Sequence, residues 1–118
     1  MDETTVAIVE DEVLIALDLQ FPCEEAGCCV LGIATTAAGA QQKFSDVLPD
    51  VRITDMDLAD SSDGVEVVEH MRILRPDVAF IFVTATTALG KLHRIAAARP
   101  DRVLKKPLRV EDLFDELL

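Results

Sequence analysis

The chain has 118 residues, the length of one domain, with half of them hydrophobic and 4% aromatic; that suits an α/β core of Val, Ile, Leu and Ala. No apolar run approaches the roughly 20 residues that cross a bilayer, so a membrane span is excluded. The net charge of −11 is uneven: residues 1–70 hold 16 Asp and Glu against Lys43 and Arg52, and residues 71–118 hold nine bases against six acids. An acidic domain repels a nucleic-acid backbone, so direct DNA or RNA binding is not expected. The N-terminal Met1-Asp2-Glu3 lacks a basic signal-peptide region, and a cytoplasmic location is the expectation. Cys23, Cys28 and Cys29 have neither metal-site spacing nor a disulfide framework and are expected to be small buried residues.

Thr5-Val6-Ala7-Ile8-Val9 is a nearly continuous apolar run closed by Glu10-Asp11-Glu12. A strand apolar on both faces belongs at the centre of a parallel sheet. Val13, Leu14, Leu17 and Phe21 follow at helical spacing as the expected inner face, with Asp18 and Gln20 opposite. Pro22 predicts a kink or an early end near Phe21, and Gly27 a C-terminal cap. Residues 28–34 form a second strand, and Ala40, Phe44, Val47 and Leu48 one face of a second helix ending before Pro49. In Val51-Arg52-Ile53-Thr54-Asp55, β-prone residues alternate with polar ones and stop at a carboxylate, which predicts a short third strand.

After a polar loop from Leu58 to Asp63, Gly64 opens a helix with Val65, Val68, Met71 and Leu74 inward and Glu66, Glu69 and Arg72 outward. Residues 79–83 make a fourth buried strand ending at Thr84. Leu89, Leu92, Ile95 and Ala96 mark a helix weakened by Gly90. Residues 102–104 are a short fifth strand, followed by Lys105-Lys106-Pro107 and a last helix bearing Val110, Leu113, Phe114 and Leu117. Five strand–helix alternations predict a doubly wound α/β fold, a five-stranded parallel sheet with helices on both faces, in one domain over residues 1–118.

Ligands of open α/β sheets bind beyond the carboxyl ends of the strands. There this chain offers Glu10 and Asp11, Asp55 and Asp57, Thr84, and Lys106. Two carboxylates about 4 Å apart repel by roughly 4 kcal/mol at an effective dielectric near 20, so the acids call for a divalent cation. Oxygen ligands select a hard ion, and Mg²⁺ (or Mn²⁺) fits because it is shared readily with phosphate. Asp55 is a candidate phosphoryl acceptor, since a carboxylate can form an acyl phosphate. Lys106 would stabilise the charge on the transferred oxygens, and Thr84 would donate a hydrogen bond to them. Taken singly, each residue has a plainer reading. Asp55 would be a strand-end turn residue, Glu10-Asp11 the cap of the first helix, and Thr84 a β-branched strand residue. Lys105, His70 and His93 are expected at the surface, Met56 and Met71 in packing.

Taken together, Val9-Glu10-Asp11-Glu12, Asp55, Thr84-Ala85 and Lys106-Pro107 resemble the receiver domain of two-component response regulators, a single-domain, chemotaxis-type receiver. The order and the successive spacings, 44 residues from Asp11 to Asp55, 29 from there to Thr84 and 22 more to Lys106, match over essentially the whole chain. The resemblance implies a flavodoxin-like fold and phosphoryl transfer to Asp55 from a histidine of a sensor kinase or phosphotransfer protein. It implies Mg²⁺ held by Asp11, Asp55 and the Asp57 carbonyl, with Glu10 assisting, and a cis Lys106-Pro107 bond. The chain departs from the family at Val103, where an aromatic is frequent, and at Pro22, in the helix that usually docks the phosphodonor. Asp57 occupies a position that influences hydrolysis of the acyl phosphate, and the loop from Asp55 to Gly64 is one residue longer than is commonest.

The expected function is a phosphorylatable switch rather than a turnover enzyme. The implied output surface is the fourth helix, fifth strand and fifth helix, charged by Lys91, Arg94, Arg99 and Arg102, and facing a downstream protein target the sequence does not name. Whether phosphorylation drives dimerisation is left open. Two readings compete. Asp55-Met56-Asp57 suggests an Asp-nucleophile phosphatase of the haloacid-dehalogenase kind, although that family places the pair after its first strand. A receiver-shaped interaction module that takes no phosphate is the other. A dinucleotide site fails for want of a Gly-rich turn after the first strand.

Overall fold

Val6, Ala7, Ile8 and Val9 are all fully buried, because their strand lies inside the sheet and both of its faces are covered. The computed structural model describes residues 3–117, with the Phe114 side chain excepted, so the expectations for Met1, Asp2, Leu118 and the inner face at Phe114 lie outside it. Strands β1 (Thr5–Val9), β2 (Cys29–Ala34), β3 (Val51–Thr54), β4 (Ala79–Thr84) and β5 (Arg102–Lys105) alternate with helices α1 (Val13–Glu25), α2 (Ala37–Phe44), α3 (Gly64–Leu74), α4 (Leu89–Ala97) and α5 (Val110–Leu117). All pairings are parallel, in the order β2-β1-β3-β4-β5.

The twofold alternation of strand side chains divides the core in two. Val6, Ile8, Ile53, Ile81 and Val83 pack with Ala16, Leu19 and Cys23 of α1 and Leu113 of α5. Ala7, Val9, Phe80 and Phe82 pack on the other side with Phe44 of α2, Val65, Val68 and Met71 of α3, and Ile95 of α4. No helix among the described residues is long and apolar enough to cross a membrane.

Helix α1 corrects two expectations. It runs through Pro22 to Glu25, and it buries Ala16, Leu19, Pro22 and Cys23. Val13, Leu14, Leu17 and Phe21 face solvent instead, Leu14 with 78% of its surface exposed. The helix is apolar nearly all round, so spacing alone does not choose its face; small Ala16 and Cys23 let it approach the sheet closely. An interior proline costs about 3 kcal/mol. Burying Leu19 returns about 1.5–3 kcal/mol, and the proline ring and Cys23 add to it, so the helix continues. It ends at Gly27, with φ +85, where Cys28 N–H donates to the Cys23 carbonyl and Gly27 N–H to that of Glu24, both at 3.0 Å.

Helix α2 stops at Phe44, leaving Val47 exposed and Leu48 half-buried beyond it. Thr36 starts it by accepting the Gly39 N–H at 2.9 Å. Cys23 and Cys28 are buried as expected, but Cys29 is exposed on the edge strand β2. Leu74 and Arg72 also depart from expectation. Leu74 is exposed, while the half-buried Arg72 stacks on Phe80 and donates to the carbonyls of Ala98 and Arg99. Leu89 and Ala96 of α4 are exposed too, leaving Ile95 as its one buried residue. His93 is exposed; His70 is half-buried, and its Nε2 has no hydrogen-bond partner among the described residues. Met56 and Met71 are packed as expected.

Arg52 is the largest fully buried side chain. The sequence alternation placed it on a polar face; β3 lies between β1 and β4, and that face is roofed by Phe44, whose ring sits 5.2 Å from the guanidinium. None of its three side-chain nitrogens has a partner among the described residues, and burial pushes its pKa down to about 10. Unpaired buried donors cost about 1–3 kcal/mol, and a cation–π contact returns part of this. Arg52→Met is therefore expected to raise stability by about 1 kcal/mol, read from the urea midpoint; a loss of that size would show that Arg52 is satisfied.

Candidate functional site

The strand order reverses at β1, from which the chain moves first to β2 and then across to β3. The crevice beyond the carboxyl ends of β1 and β3 is where such folds place ligands. The backbone there is tied: Asp55 N–H donates to the Val9 carbonyl at 3.0 Å and Glu10 N–H to the Ala34 carbonyl at 2.9 Å. Glu10 and Asp55 are thereby held at the strand ends with little exposed surface, Glu10 with none and Asp55 with 7%, and Thr84, the last residue of β4, is buried beside them in the sheet edge.

Lys106 links them. Its Nζ lies 2.7 Å from Glu10 Oε1 and 3.1 Å from Asp55 Oδ2. The lysine is placed by its own backbone, whose N–H donates to the Thr84 carbonyl at 3.0 Å, and the cis Lys106-Pro107 bond follows it. The second oxygen of each acid is also engaged. Asp55 Oδ1 accepts the Met56 N–H at 2.7 Å, and Glu10 Oε2 the Glu12 N–H at 3.2 Å. Thr84 Oγ1 accepts the Thr86 N–H at 3.1 Å, which leaves the hydroxyl proton for another acceptor.

One ammonium serves two carboxylates, so negative charge remains in excess. Burial is the main force on Glu10 and raises its pKa from 4.5 to about 7 against the pull of Lys106, with Asp55 pushing the same way. Burial also works against the Lys106 charge, yet Glu10 and Asp55 outweigh it and raise the lysine pKa.

Asp11 completes the acidic group. It does not cap α1, whose cap position is Glu12 and has no side-chain bond. Single carboxylate oxygens of Glu10, Asp11 and Asp55 lie within 4.8 Å of one another. This all-oxygen donor set fits a hard divalent cation. The Asp57 carboxylate is not among them: it is turned to Lys91 Nζ at 2.5 Å. Lys105 is exposed, as expected.

Three further residues matter that sequence reasoning did not assign to the site. Gly64 opens α3 with its N–H on the Met56 carbonyl at 2.9 Å, and a Cβ there would meet the Asp55 carbonyl at 2.3 Å and Phe82 at 2.7 Å. A glycine in the first turn of a helix was the available signal. Lys91 and Arg94 of α4 reach Asp57 and Asp63; these were expected to charge an output face, and nothing in their spacing betrayed the acids opposite.

The fold and site have recognisable relatives. The model of the response regulator receiver domain family matches residues 6–118, and the chain belongs to that family, the receivers of two-component signalling. Among curated proteins it is 37% identical over 83 residues to the phyllosphere-induced regulator PhyR of Methylorubrum extorquens, covering 70% of this chain and 31% of the relative. It is 29% identical over 77 residues to the receiver protein CpdR of Brucella abortus, covering 65% and 59%. The chain thus spans about a third of one relative and three fifths of the other. Among solved structures, a CheY-like receiver from Methanospirillum hungatei superposes with a TM-score of 0.89 at 27% identity, over 98% of this chain and 91% of that one. The PhyR receiver domain of Erythrobacter litoralis gives 0.83 at 30% identity, over 98% and 87%.

Two outcomes are expected. Gly64→Ala forces the Asp55 carbonyl or Phe82 to move and should cost about 1–3 kcal/mol in chemical denaturation. Glu10 has a raised folded pKa, so its contribution to stability is complete below about 4.5 and lost as pH rises through about 7. In chelator, calorimetry should show the metal-free protein losing on the order of 1 kcal/mol over that window, and Glu10→Gln should flatten the loss. An equal loss in that variant would move the titration elsewhere.

Proposed function

We propose that this receiver is a phosphoacceptor switch in which Asp55 takes a phosphoryl group from a phosphohistidine. The observation that carries the reading is Lys106 Nζ at 2.7 Å from Glu10 and 3.1 Å from Asp55, with Asp11 completing the acidic group. An Asp55 carboxylate oxygen attacks phosphorus in line; the new P–O bond replaces the P–N bond, and the imidazole departs with the electron pair and takes a proton from solvent. Lys106 is a fixed cation for the charge that builds on the transferred oxygens. The Thr84 hydroxyl proton is then available to the phosphoryl group. Mg²⁺, held by Glu10, Asp11, Asp55 and the Asp57 carbonyl, would neutralise the acids and the transferring group. Each transfer consumes the acceptor until the acyl phosphate hydrolyses, which makes the chain a switch rather than a turnover enzyme.

The donor in this reading is a sensor histidine kinase or a histidine phosphotransfer protein, and the reader is a downstream protein in the same cytoplasmic compartment. A cavity of about 500 Å³ between α1 and α5, lined by Phe21, Pro22, Leu108 and Val110, reaches Lys106 and Pro107. Beside it Leu14, Leu17 and Phe21 stand exposed, an apolar surface suited to a helix of the donor. The Asp57–Lys91 pair weighs against an Asp-nucleophile phosphatase, since the second acid is turned to a lysine.

Acetyl phosphate with Mg²⁺ should add one phosphoryl group by intact mass, and Asp55→Asn or Asp55→Ala should abolish it. Lys106→Ala should slow labelling by about 10²–10³, the loss typical of one charge-stabilising group. Continuous phosphate release from many substrates would indicate a phosphatase, and no labelling from any donor an interaction module.

A further inference from the structure

Helix α4 is poorly held by packing. Ile95 is its one buried side chain, Leu89 is exposed, and a Cβ at Gly90 would meet nothing within 4 Å. Arg72 secures the backbone just past its C-terminal end through the carbonyls of Ala98 and Arg99. The rest of the helix is tied by charge. Lys91 Nζ lies 2.5 Å from Asp57 Oδ1, and Arg94 Nη1 2.6 Å from Asp63 Oδ2.

These pairs form a matched set. Lys91 and Arg94, three residues apart, share one face of the helix. Asp57 and Asp63 are joined across their loop by an antiparallel bridge, so two adjacent bases meet two adjacent acids. A cavity of about 310 Å³ lies among them, lined also by Met56, Leu58, Ser61 and Ser62, so charge spans a gap that side chains do not fill.

The loop is coupled to Asp55 at both ends. Asp57 is two residues further along the chain. Asp63 caps α3 by accepting the Glu66 N–H at 3.0 Å, and the next residue, Gly64, donates its N–H to the carbonyl of Met56, the neighbour of Asp55, at 2.9 Å. A change of charge at Asp55 is therefore made two residues from Asp57, and screening in salt sets in only over a Debye length of about 8 Å. Ion pairs this exposed are individually weak, which lets such a change rebalance them.

We propose that Lys91 and Arg94 are positioning residues that carry the charge state of Asp55 to α4 through Asp57 and Asp63. The inference rests on Asp55 as phosphoacceptor. The test uses the full chain with Mg²⁺ and beryllofluoride, a tetrahedral mimic of the phosphoryl group on a carboxylate. Fluorine NMR reads binding at Asp55, and amide hydrogen exchange reads α4.

In the unaltered chain a bound fluorine signal should accompany a change of about fivefold or more in exchange at residues 89–97. A Lys91→Met, Arg94→Met double variant should keep the bound signal while its α4 exchange responds by less than about twofold. The charge-conserving Lys91→Arg, Arg94→Lys variant should restore the response. An α4 response in the neutral variant as large as in the unaltered chain would overturn the proposal, as would bound fluorine with no response in the unaltered chain. Absence of bound fluorine there would instead overturn the phosphoacceptor reading, and this inference with it.

Discussion

The site depends on one ammonium held between two carboxylates that the fold has withdrawn from water. Lys106 reaches Glu10 and Asp55 at hydrogen-bond distance, and Glu10 has no exposed surface at all. Burying one partner of an ion pair without the other is among the costlier errors a fold can make, about 3–5 kcal/mol. Three chain segments, the ends of β1, β3 and β5, must therefore arrive together. Their parallel register is also what encloses the apolar core, so the hydrophobic assembly of the sheet and the chemistry at its edge impose the same geometry.

The same triad leaves a charge deficit. A single lysine cannot neutralise Glu10, Asp11 and Asp55, and burial drives Glu10 towards its protonated form at neutral pH. A proton, a divalent cation or a bound phosphoryl group with its cation would each change that balance differently. This imbalance separates the site from a structural ion pair whose charges already cancel.

The strand ends were legible because their signal is local: an apolar run stops and a carboxylate, hydroxyl or lysine follows. Asp55, Glu10, Asp11, Thr84 and Lys106 all stand where that pattern put them. The helix faces were harder. In α1 the apolar residues surround the axis, and only the approach of the sheet selects Ala16, Leu19 and Cys23 over Leu14 and Phe21. Arg52 is a related case, since its alternation with Ile53 predicts the strand but gives no sign that Phe44 covers its face. Gly64 and the Lys91–Asp57 and Arg94–Asp63 pairs depend on contacts between segments far apart in sequence, which no single stretch encodes.

Anchoring by burial and anchoring by charge have different consequences for two helices that flank the site. Helix α1 is pinned through Ala16, Leu19, Pro22 and Cys23, an attachment insensitive to salt and to the charge on Asp55; it can present a constant surface whatever the state of the site. Helix α4 has Ile95 alone in the core and two ion pairs to the loop after Asp55, both with half-exposed bases. Coulomb attractions at that exposure are weak, and they depend on every charge within a few ångströms. The two kinds of attachment lie on opposite faces of one sheet, so a change of charge at the site falls unequally on the two helices.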